Sequence, residues 1–254
     1  MSLSSVVSSA LVNGLILAGF TGLGSLVAFT SLKIPKWGLD FSMGFAAGIM
    51  LVACFTSLII PSLEMGLYLD LGIGFVLGAL AIAAMDALIP HEHLVVGYEG
   101  PEHARRRLKK AVLIALAVAI HNVPEGLAVG VSTALSERLG FATALAIGLQ
   151  DVPEGVAVAL PLAVLWGSKL KGFATGLLTG LVETLMAVTG ALVFSYATGV
   201  LGVGMGFSAG AMMYIVVEEI LPEILHEAST YRKIATVGFF LGFYVMIYLD
   251  TLLG

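Results

Sequence analysis

His121-Asn122-Val123-Pro124-Glu125-Gly126 and Gln150-Asp151-Val152-Pro153-Glu154-Gly155 are two copies of one motif, each set inside a long apolar run. The match continues beyond the glycine, HNVPEGLAVGV over QDVPEGVAVAL. What surrounds the motifs decides what they are. Only 11% of the 254 residues are charged and 59% are hydrophobic, and the mean hydropathy is +1.03. A soluble domain carries about 25% charged residues. So few charges cannot cover a surface exposed to water, so the chain reads as a polytopic membrane protein. The 31 glycines suit that class, because small residues let membrane helices approach closely.

A spanning helix needs ~20 mostly apolar residues. Eight runs qualify, at about 7–31, 40–62, 68–89, 110–134, 139–166, 171–196, 201–224 and 234–253. The expected fold class is therefore an all-α integral membrane protein with eight transmembrane helices in a compact bundle. The connections are short, which leaves one transmembrane domain over 1–254, with 90–109 as the longest loop. The first run has no basic residues before it and no small-residue cleavage site, so it reads as a retained helix rather than a signal peptide. Lys33 and Lys36, then Arg105, Arg106, Arg107, Lys109 and Lys110, then Lys169 and Lys171, then Arg232 and Lys233 all fall on one side of this topology. Arg138 alone falls on the other. The positive-inside rule makes the first side cytoplasmic, leaving both termini extracytoplasmic. Compact loops favour a prokaryotic plasma membrane. The basic stretch after the third span fixes topology and meets lipid headgroups; a nucleic-acid partner is not expected. Trp37 and Trp166 beside cytoplasmic loops read as interfacial anchors. Cys54 is a small buried hydrophobe with no disulfide partner.

An ionisable group inside the bilayer costs about 2.5–3.5 kcal/mol on the insertion scale, so such groups are functional candidates. The fourth span carries His121, Asn122 and Glu125; the fifth carries Gln150, Asp151 and Glu154; the sixth carries Glu183; the seventh carries Glu218 and Glu219. Residues three or four apart share a helix face, which sets His121 and Asn122 over Glu125, and Gln150 and Asp151 over Glu154. The two spans run in opposite directions, so their motifs can meet near the midplane as an inverted pair. Each proline lacks an N–H and frees the carbonyl one turn earlier, Ile120 for Pro124 and Leu149 for Pro153. Helices broken at these prolines are the expectation. Imidazole, carboxylate and amide donors together favour a labile divalent transition metal, and a dication between Glu125 and Glu154 removes their repulsion. The competing reading is interhelical hydrogen bonding.

HNVPEG in the fourth of eight spans, followed by a second PEG motif, resembles the ZIP (Zrt-, Irt-like protein) family of metal transporters, and Gln150-Asp151 is most similar to its GufA-like branch. The resemblance covers essentially the whole chain. It implies a 3+2+3 arrangement with the first and last three spans related by pseudo-symmetry. It also implies a binuclear site. One metal position would use His121, Glu125, Gln150 and Glu154, with Met50 as an added thioether. The other would use Asn122, Glu125, Asp151, Glu154 and Glu183. Gln150 is the departure, since it replaces a nitrogen ligand with an amide oxygen and weakens a strict zinc preference. Asp86, His91, His93, Glu218 and Glu219 resemble an exit-side metal site of the family. A homodimer enters for the same reason, because members are commonly dimeric. Read from the residues instead, Glu64, Asp70 and Asp250 lie at outward span ends where they can attract cations.

The expected function is transport of Zn2+ or another divalent transition metal as substrate, toward the cytoplasm, with no catalytic cofactor and no enzyme activity. The alternatives are a membrane-embedded metal-dependent hydrolase and a structural membrane protein. The hydrolase lacks its usual H-E-x-x-H; the structural protein predicts that Glu125→Gln is tolerated.

Overall fold

The computed structural model describes residues 3–30, 35–92, 98–100, 110–225 and 231–253. It contains eight helices long and apolar enough to cross a membrane. They are α1 (Leu3–Phe29), α2 (Trp37–Glu64), α3 (Tyr68–Leu88), α4 (Val112–Leu135), α5 (Glu137–Leu165), α6 (Lys169–Tyr196), α7 (Leu201–Ile220) and α8 (Arg232–Leu252). The expected class, an all-α integral membrane protein, is met. The one strand pairing among the described residues is a two-residue ladder, β1 (His91–Glu92) antiparallel to β2 (Tyr98–Glu99), between α3 and α4. Lys33, His93, Arg105, Arg106, Arg107 and Lys109 lie outside the described residues. The bundle's outer surface is apolar, with Leu69 82% and Val164 81% exposed, as a lipid-facing wall requires.

Close backbone approaches show how the helices associate. A methyl group placed on Gly44 or Gly48 of α2 would meet the carbonyls of Ala235 and Phe239 on α8 at 2.0 and 2.1 Å. Gly238 and Gly242 of α8 answer against Phe41 and Phe45 of α2. The same reciprocal pairing joins Gly74 and Gly78 of α3 to Gly206 and Gly210 of α7. These are small-xxx-small seams, where packing rather than a hydrophobic driving force holds helices in lipid. Gly126 and Gly130 of α4 sit likewise on Glu183 and Ala187 of α6. The helices thus fall into two sets that pack most heavily within themselves: α1, α4, α5 and α6 in one, α2, α3, α7 and α8 in the other.

The prolines behave differently from expectation. α4 and α5 remain α-helical through Pro124 and Pro153, so the motif helices are not broken. The irregular backbone lies in the other set. Cys54–Ile59 in α2 and Ile215–Ile220 in α7 are π-helical, and each ends shortly before a proline, Pro61 and Pro222. The missing proline N–H leaves the carbonyl four residues back without its α-helical partner. For Pro61 that carbonyl is Ser57, and the Ser132 hydroxyl of α4 donates to it at 3.4 Å. Such π segments recur at functional sites.

Candidate metal centre

The two motif helices are joined almost directly. α4 ends at Leu135, Ser136 caps α5 by accepting from the Leu139 N–H at 3.5 Å, and α5 begins at Glu137. With no room for a wide connection, α4 and α5 lie side by side and bring their motifs together. One carboxylate oxygen each from Glu125, Asp151 and Glu154 lie within 4.8 Å of one another. At that separation two full charges repel by roughly 3–4 kcal/mol at an effective dielectric of about 20. The cluster therefore calls for positive charge.

The remaining groups sort into two layers. Met50, His121, Glu125, Gln150, Glu154 and Glu219 line a cavity of about 140 Å³. A water takes about 30 Å³, so the cavity admits an ion with several waters. Apart from Ser42, its other walls are apolar, with Leu39, Met43 and Ile114 coming from the Lys/Arg-rich ends of the helices. The cavity therefore lies in the half of the bundle nearer that end. Behind it, Asn122, Asp151 and Glu183 are each 0% exposed. Both amide atoms of Asn122 and both carboxylate oxygens of Asp151 and Glu183 lack a hydrogen-bond partner among the described residues. Burying them unpaired is costly, and a bound cation is what such an acceptor-rich layer can hold. Toward the other end the site is sealed by Cys54, Leu58, Val129, Ile147 and Ala209, none more than 1% exposed.

Two contacts tie the cavity residues together. Gln150 Nε2 donates to Glu125 Oε1, which aims its amide nitrogen at the carboxylate and leaves Oε1 unpaired. His121 Nε2 meets Glu219 Oε2, linking α4 to the π segment of α7. The structure thus places Glu219 beside His121 in the central cavity, while Glu218 is exposed. Asp86 Oδ1 lies 3.8 Å from His91 Nε2, and His91 Nδ1 donates to the Ile89 carbonyl at 2.8 Å; His93 is outside the described residues. At the opposite end Glu64 is exposed, Asp70 and Asp250 are half-buried, and Asp250 faces Thr56. α1 was assigned no role from sequence, yet Thr21 sits beside Glu183. Thr21 is a hydroxyl in an otherwise small and apolar stretch, a weak signal that only the fold brings to the site.

Comparison with known proteins places these residues among relatives. The family profile described as ZIP Zinc transporter matches residues 90–250. The Zinc transporter GufA of Myxococcus xanthus is 35% identical over 254 aligned residues, covering 96% of this chain and 98% of that protein. The Zinc transporter ZIPB of Bordetella bronchiseptica is 37% identical, covering 93% and 79%. The Zinc transporter ZIP11 of Homo sapiens is 33% identical, covering 93% and 94%.

Proposed function

The chain belongs to the ZIP family of zinc transporters, and from that premise we propose that it carries divalent transition-metal ions across a membrane, zinc foremost. The observation that supports this best is the carboxylate cluster of Glu125, Asp151 and Glu154 inside two spanning helices, open on one side to a cavity. We assign one metal position to the cavity layer, with His121, Glu125, Gln150, Glu154 and Met50 as ligands. A second position lies in the buried layer, with Asn122, Asp151 and Glu183, and with Glu125 and Glu154 bridging. Neutral and oxygen ligands hold a divalent ion without trapping it.

The positive-inside rule puts the Lys/Arg-rich end in the cytoplasm, with both termini outside. On that orientation the cavity faces the cytoplasm and uptake is the direction proposed, with Asp86, His91, His93, Glu218 and Glu219 along the exit and Glu64 and Asp250 at the entrance. The proposed setting is a prokaryotic plasma membrane, with a second copy of the chain as a further partner. Every proposed ligand except Met50 rides on the set made of α1, α4, α5 and α6. Displacement of this set against α2, α3, α7 and α8 would expose the site alternately to each side. No G-x-x-x-x-G-K-[ST] loop is present, so flux follows the metal gradient or a coupled ion.

The test is zinc uptake into liposomes holding the purified protein, beside empty liposomes and the Glu125→Ala/Glu154→Ala variant. Saturable uptake that the double variant loses is the expected result. Uptake equal to that of empty liposomes, for zinc and for other divalent metals under an imposed pH gradient, would refute the transport reading.

A further inference from the structure

Span α1 carries two hydroxyls into the interior of the ligand-bearing set, Thr21 and Ser25, each 0% exposed. Their surroundings are tight. A methyl placed on Gly155, next to Glu154, would meet the Thr21 carbonyl at 2.1 Å, and one on Gly180 would lie 2.9 Å from both Cβ and Oγ1 of Thr21. Gly180 is three residues before Glu183 and shares its helix face. Thr21 is thus wedged between the second PEG motif and the face of α6 that bears Glu183, and its side chain sits beside the Glu183 carboxylate. The Ser25 hydroxyl donates to the Gly155 carbonyl at 3.3 Å, pinning α1 to α5 at the same level.

The orientation of the Thr21 hydroxyl matters most. Its single proton is given to the Leu17 carbonyl, 3.0 Å away on its own helix. Beyond that bond the Thr21 oxygen keeps lone pairs able to bind a cation. Both Glu183 oxygens and both Asp151 oxygens lack a donor among the described residues. Oxygens of Thr21, Asp151 and Glu183 converge here from α1, α5 and α6, and a cation can bind all of them at once. A hydroxyl whose proton is held elsewhere is a neutral oxygen donor fit for such an ion.

We propose that Thr21 is an oxygen ligand of the second metal position, opposite Glu183. This inference rests on the two-position reading above. It gives the buried layer a neutral ligand from a helix outside the motifs.

Binding of Zn2+ to purified protein in detergent, measured by calorimetry, tests it with four variants. Glu183→Ala checks the premise and is expected to weaken one of two binding events while sparing the other. Thr21→Val keeps shape and removes the oxygen, and is expected to weaken the same event about 10–100-fold, the usual scale for a metal-site partner. Thr21→Ser restores the oxygen and returns binding to the wild-type value. Thr21→Cys replaces oxygen with sulfur and raises affinity for Cd2+ relative to Mn2+ at that position, because soft ligands select soft ions. A purely packing role would not produce this change. If Glu183→Ala weakens the second event but Thr21→Val binds like wild type, Thr21 is no ligand. If Thr21→Ser is as weak as Thr21→Val, or Thr21→Cys leaves the Cd2+/Mn2+ ratio unmoved, packing at position 21 rather than the oxygen is what counts and the proposal falls. If Glu183→Ala leaves both events unchanged, the two-position reading fails and takes this one with it. Should Thr21→Val unfold, the Thr21→Ser and Thr21→Cys comparison decides alone.

Discussion

In the proposed cavity position, Gln150 would set how tightly the ion is held. Its amide nitrogen donates to Glu125, so one of its groups steadies a carboxylate while the unpaired Oε1 remains for a cation. An imidazole at this position would offer a stronger ligand to zinc. Gln150→His is therefore expected to raise zinc affinity by roughly tenfold, read by competition with a chromophoric chelator. Unchanged affinity would mean that residue 150 does not face the metal. Most residues of this centre were legible in the sequence because charge in an apolar run is conspicuous. Glu219 was visible too, but its place beside His121 was not, since residues 98 positions apart meet only through the packing of α4 on α7. Thr21 was hidden for the opposite reason: a threonine in a membrane helix commonly bonds its own turn, and only its neighbours set it apart.

Among the elements, the seams of α2 with α8 and α3 with α7 were written in the chain as a repeat beyond the PEG motifs. Met43-Gly44-Phe45-Ala46-Ala47-Gly48-Ile49-Met50 returns as Met205-Gly206-Phe207-Ser208-Ala209-Gly210-Ala211-Met212, and Gly74-Phe75-Val76-Leu77-Gly78 returns as Gly238-Phe239-Phe240-Leu241-Gly242. Reading for ionisable residues alone passes over such stretches. They predict which substitutions the elements refuse. A methyl on Gly78 would lie 2.0 Å from the Phe207 carbonyl, backbone that cannot step aside cheaply. Gly78→Ala should destabilise the protein by about 1–3 kcal/mol, as overpacking does. Gly72, with nothing within 4 Å of an added methyl, should tolerate alanine. Thermal unfolding in detergent compares the two, and equal stability would mean that the α3–α7 seam yields. The π segments could not be read in advance. A proline marks where a carbonyl loses its partner, but Pro124 and Pro153 do so without changing the helix type; which response follows depends on what packs around the turn.

For the molecule as a whole, the two helix sets make a mechanical prediction. Phe45 of α2 and Val156 of α5 line one groove on the boundary between the sets. In a Cys54→Ala background, Phe45→Cys with Val156→Cys, bridged by a bifunctional thiol reagent, should abolish uptake. Cysteines at Ser9 of α1 and Glu137 of α5, whose side chains meet at 3.2 Å on the exposed surface of one set, should leave uptake intact when bridged. Transport by the first cross-linked protein at its uncross-linked rate would exclude relative movement of the sets. Fold class and span count came from composition and run length. The division into sets did not, because hydropathy reports which residues avoid water and not which helices hold one another.

Cys54–Ile59 and Ile215–Ile220 occupy matching places in the repeat, yet one brings a thiol and hydroxyls and the other brings Glu218 and Glu219. The scaffold is thus near-symmetric in shape and lopsided in chemistry. If the two sets move as proposed, a device built this way would have a resting bias that can be tuned in part from outside its candidate cargo site. Under the proposed alternating exposure, exchanging side chains in Cys54–Ile59 would shift which door stands open at rest while the candidate ligands on α4, α5 and α6 stay as they are, whereas Glu219 of Ile215–Ile220 touches His121 and ties that door to the site.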